Sequence, residues 1–342
     1  MKKTICCVAG KSGGHIIPGL NYMQQILKNS PDHDILFFTT SSPLDKNLLE
    51  NSKIVTHHVP LHLDNIPYKK LYKVPLFMLQ LGFSFIKSFF WLLKKRPSLI
   101  ISMGGYVSIP VCIAARLLRI RIELFELNVV PGKATSFLAS HVSTVRICFP
   151  ETKKYLKRAR CIISAYPLKD ALYHVPKDKN TLLKSLSFDS HKKTILVLGG
   201  SQGSHFLNTT LKQIASSPDL KNTIQIIHQT GFDDPEPFKK WYTQHEIQHQ
   251  VFQFHHNLET LYPAADIVMC RAGAGTLFET LYFKTKCICI PLKATTTNHQ
   301  LDNALSFSKQ YPDQFITLEQ KEIENNNLIL ENKLKEVLGL IL

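Results

Sequence analysis

The feature that most constrains the fold is a unit that recurs in both halves of the chain: a short apolar strand, a glycine-rich loop and a helix. In its first occurrence, Ile5–Val8 leads into the loop Gly10–His15 and a helix predicted over about Pro18–Leu27. Parallel strands need such crossover connections, so the repeated unit predicts doubly wound parallel sheets wrapped by helices, an α/β fold. The segments that we predict as strands are Ile5–Val8, Ile35–Phe38, Ser98–Ile101, Ile122–Phe125, Lys193–Leu198, Ile224–His228, Asp266–Cys270 and Cys287–Ile290.

The length of the chain favours two domains. It has 342 residues, whereas one domain usually takes roughly 100–200. We predict a linker at Cys161–Lys169, with residues 1–163 and 164–342 as the two domains. Doubly wound sheets bind ligands at the carboxyl ends of their strands, so two such domains predict an inter-domain cleft that holds the ligand.

The charge balance points to an anionic partner. Lys and Arg number 41 against 26 Asp and Glu, which makes the formal net charge +15. Such an excess favours nucleic acid, phosphate-bearing substrates or acidic lipid. No recognition helix and no basic strand interleaved with aromatic residues stands out, so we do not expect nucleic-acid binding.

The eight cysteines include no C-x-x-C pair. Cys6, Cys7, Cys287 and Cys289 lie in apolar stretches that we predict as buried strands. Reduced thiols in a reducing compartment are therefore favoured over a disulfide framework. Zinc ligands recur at spacings that are missing here, so we expect no metal site.

The glycine-rich loops are where we expect the ligand. In Gly10–His15 the glycines allow a sharp turn and a close approach, and the helix N-terminus favours anions or polar sugar hydroxyls. A P-loop would need a glycine at Ile5 and a dinucleotide fingerprint one at Ser12, so neither motif is present. A plain tight turn remains the alternative. Similar loops follow strands at Gly104–Ser108, Gly199–Gly203 and Arg271–Thr276.

The last of these loops suggests a specific ligand. Backbone N–H groups at 274–276 can cradle a diphosphate at a helix N-terminus. Glu279 lies about one turn further along the helix, where its carboxylate can accept both hydroxyls of a ribose. The alternative is that Glu279 is an ordinary acid favoured by the helix dipole.

Six segments in this order resemble the motifs of the MurG family, which belongs to glycosyltransferase family 28. Members of that family add GlcNAc to lipid I, which gives the lipid II precursor of peptidoglycan. The family motifs are GGTGGHxxPAL, GxGGYxSGP, EQNxxxG, GGSQG, RxGAxTxxE and HQxxNA. The matching segments are Gly10–Leu20, Ser102–Pro110, Glu126–Gly132, Gly199–Gly203, Arg271–Glu279 and His299–Ala304.

The resemblance implies a fold of the GT-B type and an inverting, metal-independent transfer from UDP-GlcNAc to the MurNAc 4-hydroxyl of lipid I, without a cofactor. A UDP-GlcNAc 2-epimerase, which shares the architecture, stays open as the alternative. The resemblance implies that Ser201, Ala274, Gly275 and Thr276 hold the diphosphate, Glu279 the ribose, the His255 backbone the uracil, and His299 and Gln300 the sugar. It also implies that Ser12, Gly13, Gly14 and Asn128 complete the sugar site, and that Gly104, Gly105 and Tyr106 lie on the acceptor side.

Several positions depart from the family pattern. The segment Ala165–Lys169 stands where the family has Gly-Asn-Pro-Val-Arg. Lys169 keeps the positive charge for a phosphate but lacks the bidentate fork of arginine. The other departures are Lys11, Ser102 and Ile109 in place of glycines, Leu127 in place of the glutamine of EQN, and Phe125 in place of the preceding histidine.

His15 is the candidate general base. It lies on the first glycine-rich loop, and imidazole titrates near neutral pH. Its place in the loop and the resemblance favour a catalytic role, while a structural histidine is the alternative. The resemblance implies UDP-GlcNAc and lipid I as the partners.

The segment Leu71–Arg96 predicts a helix that lies on a membrane surface. An apolar stripe recurs at helical spacing and basic residues flank it, which suits an anionic lipid surface. Gln80, Ser84, Lys87 and Ser88 interrupt the stripe and argue against a spanning helix. A helix buried against the sheet is the alternative. The resemblance implies a peripheral protein at the cytoplasmic face of the bacterial inner membrane. The residues expected on the lipid-facing surface are Leu76, Leu79, Phe83, Ile86, Phe90 and Trp91.

Overall fold

A computed structural model describes residues 3–10, 12–64, 67, 71–176, 178–200, 202–292 and 299–341. The chain divides into two compact units, a first unit that ends at Asp170 and a second that begins at Ala171. Each unit contains one parallel β-sheet with helices between its strands. The prediction of an α/β fold with two doubly wound domains is confirmed.

The first unit is built on a seven-stranded sheet. Its strands are β1 (Lys3–Val8), β2 (His33–Thr40), β3 (His57–Leu61), β4 (Leu99–Ser102), β5 (Arg121–Glu126), β6 (Thr144–Ile147) and β7 (Cys161–Ile163). They are all parallel and lie in the order β3-β2-β1-β4-β5-β6-β7. The central strands read as apolar runs because helices cover both faces of such a sheet.

Among its described residues, the first unit has five α-helices. They are α1 (Gly13–Asn29), α2 (Pro43–Glu50), α3 (Val74–Lys95), α4 (Ser108–Leu117) and α5 (Lys133–Leu138). Helix α4 turns Val111, Ala114 and Ala115 into the core, where they are fully buried. Helix α1 begins at Gly13, five residues before the predicted start, and retains Pro18 in its interior. Burial of Ile16, Pro18 and Met23 against the sheet outweighs the helix-breaking tendency of proline.

The second unit is built on a six-stranded sheet. Its strands are β8 (Lys193–Leu198), β9 (Ile224–Gln229), β10 (His249–Phe252), β11 (Ile267–Cys270), β12 (Lys286–Cys289) and β13 (Phe315–Thr317). They are also parallel and lie in the order β10-β9-β8-β11-β12-β13. Its helices are α6 (Lys179–Ser185), α7 (His205–Ala215), α8 (Pro218–Lys221), α9 (Glu236–Gln244), α10 (Ala274–Phe283), α11 (His299–Gln310), α12 (Gln320–Asn325) and α13 (Leu328–Leu338).

The predicted linker Cys161–Lys169 is wrong at its start. Cys161–Ile163 form strand β7, which pairs with β6 at the edge of the first sheet. The rest of the segment is held on helix α1, since Asn21 Nδ2 donates to the carbonyl of Pro167 at 3.0 Å and Gln25 Nε2 to that of Leu168 at 3.2 Å. Lys169 therefore belongs to the first unit.

Candidate active site

Both sheets place their glycine-rich loops at the point where the strand order reverses. In the first sheet this point lies between β1 and β4, and in the second between β8 and β11. Neighbouring loops there leave in opposite directions, so the carboxyl edge opens into a crevice that suits a ligand. The four loops singled out from the sequence are the connections that follow these four strands.

His15 lies in the first turn of α1, and a short hydrogen bond orients its ring. Its Nδ1 lies 2.6 Å from the carbonyl oxygen of Met103, at the end of β4. A carbonyl only accepts, so Nδ1 carries the proton and Nε2 is the basic nitrogen. Ser12 caps the helix in an extended conformation, and its carbonyl accepts from the amides of His15 and Ile16. Gly13 and Gly14 are the first two helical residues.

The turn Gly104–Ser108 packs against His15. Gly104 and Gly105 have φ of +87° and +80°, a region that favours glycine. A Cβ on Gly104 would lie 3.6 Å from Cε1 of His15. Ser102 stabilises this turn: its Oγ donates to Ser108 Oγ at 2.7 Å and accepts from the Gly104 amide at 3.2 Å. The serine that replaces a family glycine is therefore accommodated as a hydrogen-bonding group.

Tyr106 is tied to the chain that follows β3. Its hydroxyl donates to the carbonyl of Leu63 at 3.3 Å. The side chain is half-buried, and burial raises the pKa of its phenol. Tyr106 therefore stays protonated at neutral pH and acts as a hydrogen-bonding group rather than a base.

A buried carboxylate organises the loop after β5. Glu126 Oε1 accepts from the amide of Asn128 at 3.0 Å and from its Nδ2 at 3.3 Å, while Oε2 accepts from the amide of Gly132 at 3.0 Å. Burial raises the pKa of Glu126, and these hydrogen bonds oppose the shift. Leu127, which replaces the family glutamine, is turned into the core. Asn128 is thus held in place by a residue whose role the sequence did not reveal.

In the second unit, two loops pack backbone against backbone. Gly203, at φ +78°, would place a Cβ 2.1 Å from the carbonyl oxygen of Thr230, and Gly231 would place one 2.2 Å from Cα of Gly203. Such distances exclude any side chain, which explains the glycine at the end of Gly199–Gly203. Ser201, the diphosphate ligand implied by the resemblance, lies outside the described residues.

Helix α10 presents its N-terminus at the same edge. Ala274, Gly275 and Thr276 are its first three residues, and the amides of a first helical turn have no carbonyl partner within the helix. Gly273 is the N-cap, and a Cβ on it would meet no described atom within 4 Å. Open space thus adjoins amides that favour an anion, which fits the predicted diphosphate cradle.

Arg271 links the loop that precedes α10 to neighbouring segments by hydrogen bonds. Its guanidinium donates to Ser204 Oγ at 3.0 Å, to the carbonyl of Ile290 at 3.0 Å and to Gln320 Oε1 at 2.8 Å. Burial lowers the pKa of Arg271 to about 10, so it remains charged at neutral pH. Ser204 also caps α7, and its Oγ accepts from the Leu207 amide. One buried cation therefore links the 199–204 loop, the 271–276 loop and the end of β12.

Glu279 is not an ordinary N-terminal helix acid. It is the sixth residue of α10 and lies beyond the first turn, where the dipole acts most strongly. Its Oε2 accepts from the hydroxyl of Tyr262 at 2.9 Å. Tyr262 is fully buried and stacks on Phe283 with ring centroids 5.0 Å apart. A fixed carboxylate at this position suits the predicted contact with ribose hydroxyls.

The remaining predicted donor residues lie around the same sheet edge. His255 follows β10, and its Nδ1 is buried with no hydrogen-bond partner among the described residues. His299 and Gln300 begin α11, and Gln300 Oε1 accepts from the Leu292 amide at 2.9 Å. Asn303 Nδ2 donates to the carbonyl of Ala272 at 3.4 Å, which attaches α11 to the diphosphate loop.

Helix α3 buries two serines and one leucine and exposes large apolar side chains. The residues that it buries are Ser84, Ser88 and Leu92. Trp91 is half-buried and packs against the core, with its ring centroid 6.1 Å from that of His57, so its place on the lipid-facing surface stays a prediction. The apolar face of α3 comprises five residues that are 50% to 72% exposed, namely Leu76, Leu79, Phe83, Ile86 and Phe90.

Polar side chains attach α3 to the rest of the first unit. Gln80 Nε2 donates to Asp64 Oδ2 at 3.0 Å, and Lys87 Nζ donates to the carbonyl of Pro60 at 2.7 Å. With 22 residues, the helix is long and apolar enough to cross a membrane by length and composition alone. Two of the side chains that interrupt its apolar stripe, Gln80 and Lys87, thus help to hold it on the protein.

Models of known families match most of the chain. The N-terminal domain of glycosyltransferase family 28 matches residues 5–147, and its C-terminal domain matches residues 194–338. These spans contain every loop described above, and they fall on separate units.

Individual relatives agree with the family models. A protein of Protochlamydia amoebophila is 33% identical over 310 residues, which cover 89% of this chain and 80% of the relative. One of Carboxydothermus hydrogenoformans is 30% identical over 308 residues, 87% of this chain and 80% of the relative. Both are UDP-N-acetylglucosamine–N-acetylmuramyl-(pentapeptide) pyrophosphoryl-undecaprenol N-acetylglucosamine transferases.

A solved structure shares the fold. The crystal structure of Acinetobacter baumannii MurG matches 98% of this chain and 90% of its own, with a TM-score of 0.74 and 22% identity. On the family models and the relatives together, the chain belongs to glycosyltransferase family 28.

Proposed function

We propose that this chain transfers GlcNAc from UDP-GlcNAc to the MurNAc 4-hydroxyl of lipid I, giving lipid II for peptidoglycan synthesis. The activity named for its relatives supports this assignment. Two structural features carry this assignment, one at the point where the strand order reverses in each sheet. One is the diphosphate cradle at the N-terminus of α10, and the other is His15 with its basic Nε2.

The second unit binds the donor. The amides of Ala274, Gly275 and Thr276 meet the negative charge of the diphosphate, and that charge grows on the departing UDP as the sugar bond breaks. Glu279 accepts hydrogen bonds from the ribose hydroxyls. The backbone at His255 contacts the uracil edge. His299 and Gln300 contact the sugar hydroxyls, with the Gln300 carbonyl oxygen already held by the Leu292 amide.

The first unit supplies the base for the acceptor. As the MurNAc 4-hydroxyl attacks the anomeric carbon of GlcNAc, its proton passes to Nε2 of His15. The bond from the anomeric carbon to the β-phosphate oxygen breaks, and its electron pair leaves with UDP. Attack on the face opposite the leaving group inverts the anomeric configuration. The Met103 carbonyl stabilises the imidazolium formed in this step through the Nδ1 hydrogen bond.

The same unit contributes the remaining contacts with the sugar and the acceptor. Ser12, Gly13 and Gly14 at the start of α1, together with Asn128, line the sugar site. Gly104, Gly105 and Tyr106 lie on the acceptor side. Lys169 contributes a positive charge towards a donor phosphate.

Lipid I is reached from the membrane surface. The apolar face of α3 lies in the interfacial region of the cytoplasmic leaflet, and Lys73, Lys94 and Arg96 contact anionic headgroups. The attachment of Gln80 and Lys87 to the protein supports a helix that lies on the membrane rather than across it. The protein is accordingly peripheral at the cytoplasmic face of the bacterial inner membrane.

A direct assay tests the reaction. The purified chain is incubated with radiolabelled UDP-GlcNAc and a short-chain lipid I analogue, with a chelator and no added metal. Label that moves into the lipid product supports the transferase, and the His15→Ala variant serves as the inactive control. Label that stays in a nucleotide sugar and appears as UDP-ManNAc contradicts it and favours the epimerase.

Sedimentation with liposomes tests the membrane contact. Wild-type protein should bind vesicles that contain anionic lipid more tightly than neutral vesicles, because basic residues flank the apolar face of α3. The double variant Phe83→Ser/Phe90→Ser should lose most of this binding. The matched control is Phe232→Ser, which removes a phenylalanine of the second unit that is 78% exposed. Equal binding by the double variant and wild type argues against this surface.

A further inference from the structure

Three cysteines of the second unit lie together on one face of its sheet. Cys287 and Cys289 are two residues apart on β12 and therefore point to the same side. Cys270, the last residue of β11, is the Cα partner of Cys289 in the parallel pairing. The register of the sheet thus brings together thiols from two strands that are separated by helix α10 in the sequence.

The sulfur atoms are spaced as ligands of a single ion. Cys287 Sγ lies 3.6 Å from Cys270 Sγ and 3.5 Å from Cys289 Sγ, and all three sulfurs lie within 4.8 Å of one another. A point equidistant from three atoms at such spacings lies about 2.0–2.4 Å from each, which brackets the zinc–thiolate bond length of about 2.3 Å. The sulfurs need little movement to ligate a metal.

We propose that Cys270, Cys287 and Cys289 form a three-thiolate site for one thiophilic cation of the Zn²⁺, Cd²⁺ and Cu⁺ class. Sulfur ligands select soft or borderline cations, and hard cations such as Mg²⁺ prefer oxygen. Binding releases the thiol protons to solvent and leaves the oxidation state of the cation unchanged. The site is closed, since the three cysteines are 0%, 1% and 0% exposed and Val268, the Cα partner of Cys287, is also fully buried.

A bound cation would tie β11 to β12 directly below the diphosphate loop. Arg271, which braces that loop, follows Cys270 in the chain. The cation would therefore stabilise the second unit without taking part in sugar transfer. This inference is independent of the proposed function, because its ligands and its test involve neither UDP-GlcNAc nor lipid I.

The probe is Cd²⁺ added to the reduced full-length chain. We expect one equivalent to bind, with ultraviolet thiolate-to-metal charge-transfer absorption and a rise in Tm, since a ligand of the native state stabilises it. The sulfurs are reached only through a local opening of the sheet, so binding should be slow and should accelerate in mild denaturant. Failure of the folded wild type to take up one equivalent under these conditions overturns the proposal.

Substitutions identify the ligands. Cys270→Ala and Cys289→Ala should each weaken Cd²⁺ binding at least about tenfold, because each removes one of three ligands. Cys112→Ala is the matched control, since Cys112 is a thiol of the first unit that is 1% exposed. Unchanged binding in the double variant Cys270→Ala/Cys289→Ala, or equal loss in the control, refutes the assignment.

A measurement on the wild type covers the case in which these variants fail to fold. In ¹¹³Cd NMR, the resonance of the bound ion should fall in the range of sulfur-only coordination. A resonance typical of oxygen or nitrogen ligands places the ion elsewhere and overturns the proposal.

Discussion

The two sheets share one strand order, yet the loops at their carboxyl edges are held by opposite charges. In the first unit the buried carboxylate of Glu126 accepts hydrogen bonds from the amides of Asn128 and Gly132. In the second unit the buried guanidinium of Arg271 donates to Ser204, Ile290 and Gln320. The carboxylate of Glu126 accepts hydrogen bonds from N–H groups of its loop, whereas the guanidinium of Arg271 donates hydrogen bonds to oxygen atoms.

The difference matches the ligands that the two edges would meet. At the second edge, Arg271 binds hydroxyl, carbonyl and amide oxygens and adds positive charge, which would favour a diphosphate at the amides of α10. At the first edge, Glu126 accepts from amides of its own loop, and His15 is the proposed acceptor of the proton. On the proposed function, we therefore expect charge binding at the carboxyl edge of the second sheet and proton transfer at that of the first.

The largest expected effect concerns His15. If the first edge serves proton transfer, His15→Ala should lower kcat by about 10²–10⁴-fold, the usual contribution of a general base. The affinity for UDP should change little, because the proposed diphosphate contacts lie on the other unit. Steady-state kinetics and calorimetric titration with UDP measure the two quantities.

His141→Ala is the matched control, because His141 is an exposed histidine of the same unit. It should leave kcat unchanged. Near-normal turnover in His15→Ala would contradict the proton-transfer role of the first edge. A loss of UDP affinity as large as the loss of kcat would show that the first edge also contributes to UDP binding.

The next effect concerns Arg271. Arg271→Met leaves the buried carbonyl oxygen of Ile290 and the part-buried oxygens of Ser204 and Gln320 without their donor, and should destabilise the second unit by about 3 kcal/mol. UDP should bind at least about tenfold more weakly, since the 199–204 and 271–276 loops lose their common brace. Hydrogen exchange of these loops and titration with UDP test both.

Arg271→Lys distinguishes charge from geometry. A single ammonium keeps the positive charge but cannot span three acceptors in a plane. If charge alone supports the cradle, this variant behaves as wild type. We expect it to lie close to Arg271→Met, because the guanidinium donates in three directions.

The repeated unit in the sequence was sufficient to predict the fold and the four loops. Strand β8 has the bounds predicted for it, and the four glycine-rich loops follow the strands at which the order reverses. The short strands β3, β6, β7, β10 and β13 were missed, because they lie towards the sheet edges and carry fewer apolar residues. Short segments of this kind have too little periodicity to reveal themselves.

The groups that hold the site were harder to predict than those expected to touch the substrate. Glu126 and Arg271 each follow an apolar run, which is a usable signal of a polar group at a strand end. Tyr262 gave no signal, because its contact with Glu279 joins residues 17 apart through tertiary packing. Cys270 was likewise missed as a neighbour of Cys287, since only the sheet register brings them together.

A smaller effect is expected from Glu126→Gln. The amide nitrogen of glutamine cannot accept, so the amide of Asn128 or of Gly132 loses its partner, at a cost of about 2 kcal/mol. Hydrogen exchange should show faster opening of residues 127–132. The control is Glu123→Gln, a buried acid on the same strand that pairs with Arg121 and Arg146 instead. In Glu123→Gln, residues 127–132 should keep their wild-type protection from hydrogen exchange.

The pH dependence of the same variant has a defined sign. Burial raises the pKa of Glu126 in the folded state, so the folded chain binds more protons than the unfolded chain above the ordinary carboxyl pKa of about 4. The contribution of Glu126 to the free energy of unfolding is fully present below that pH, and it is lost as the pH rises through the raised pKa. The stability difference between wild type and Glu126→Gln should therefore narrow with rising pH. A difference that widens shows that the carboxylate form is favoured.

The smallest effect concerns Tyr262, a positioning residue for Glu279. Tyr262→Phe removes only a hydroxyl and should weaken UDP binding by about 1 kcal/mol, roughly fivefold, because the carboxylate loses one hydrogen bond that fixes it. The sharper readout is selectivity. Glu279 is expected to meet the ribose hydroxyls, so the variant should lose more affinity for UDP than for 2′-deoxy-UDP. Tyr242→Phe is the matched control, since Tyr242 is fully buried and bonds His228. If the variant loses equal affinity for UDP and for 2′-deoxy-UDP, Tyr262 has only a structural role. The second edge would then recognise the charge of the diphosphate and not the ribose.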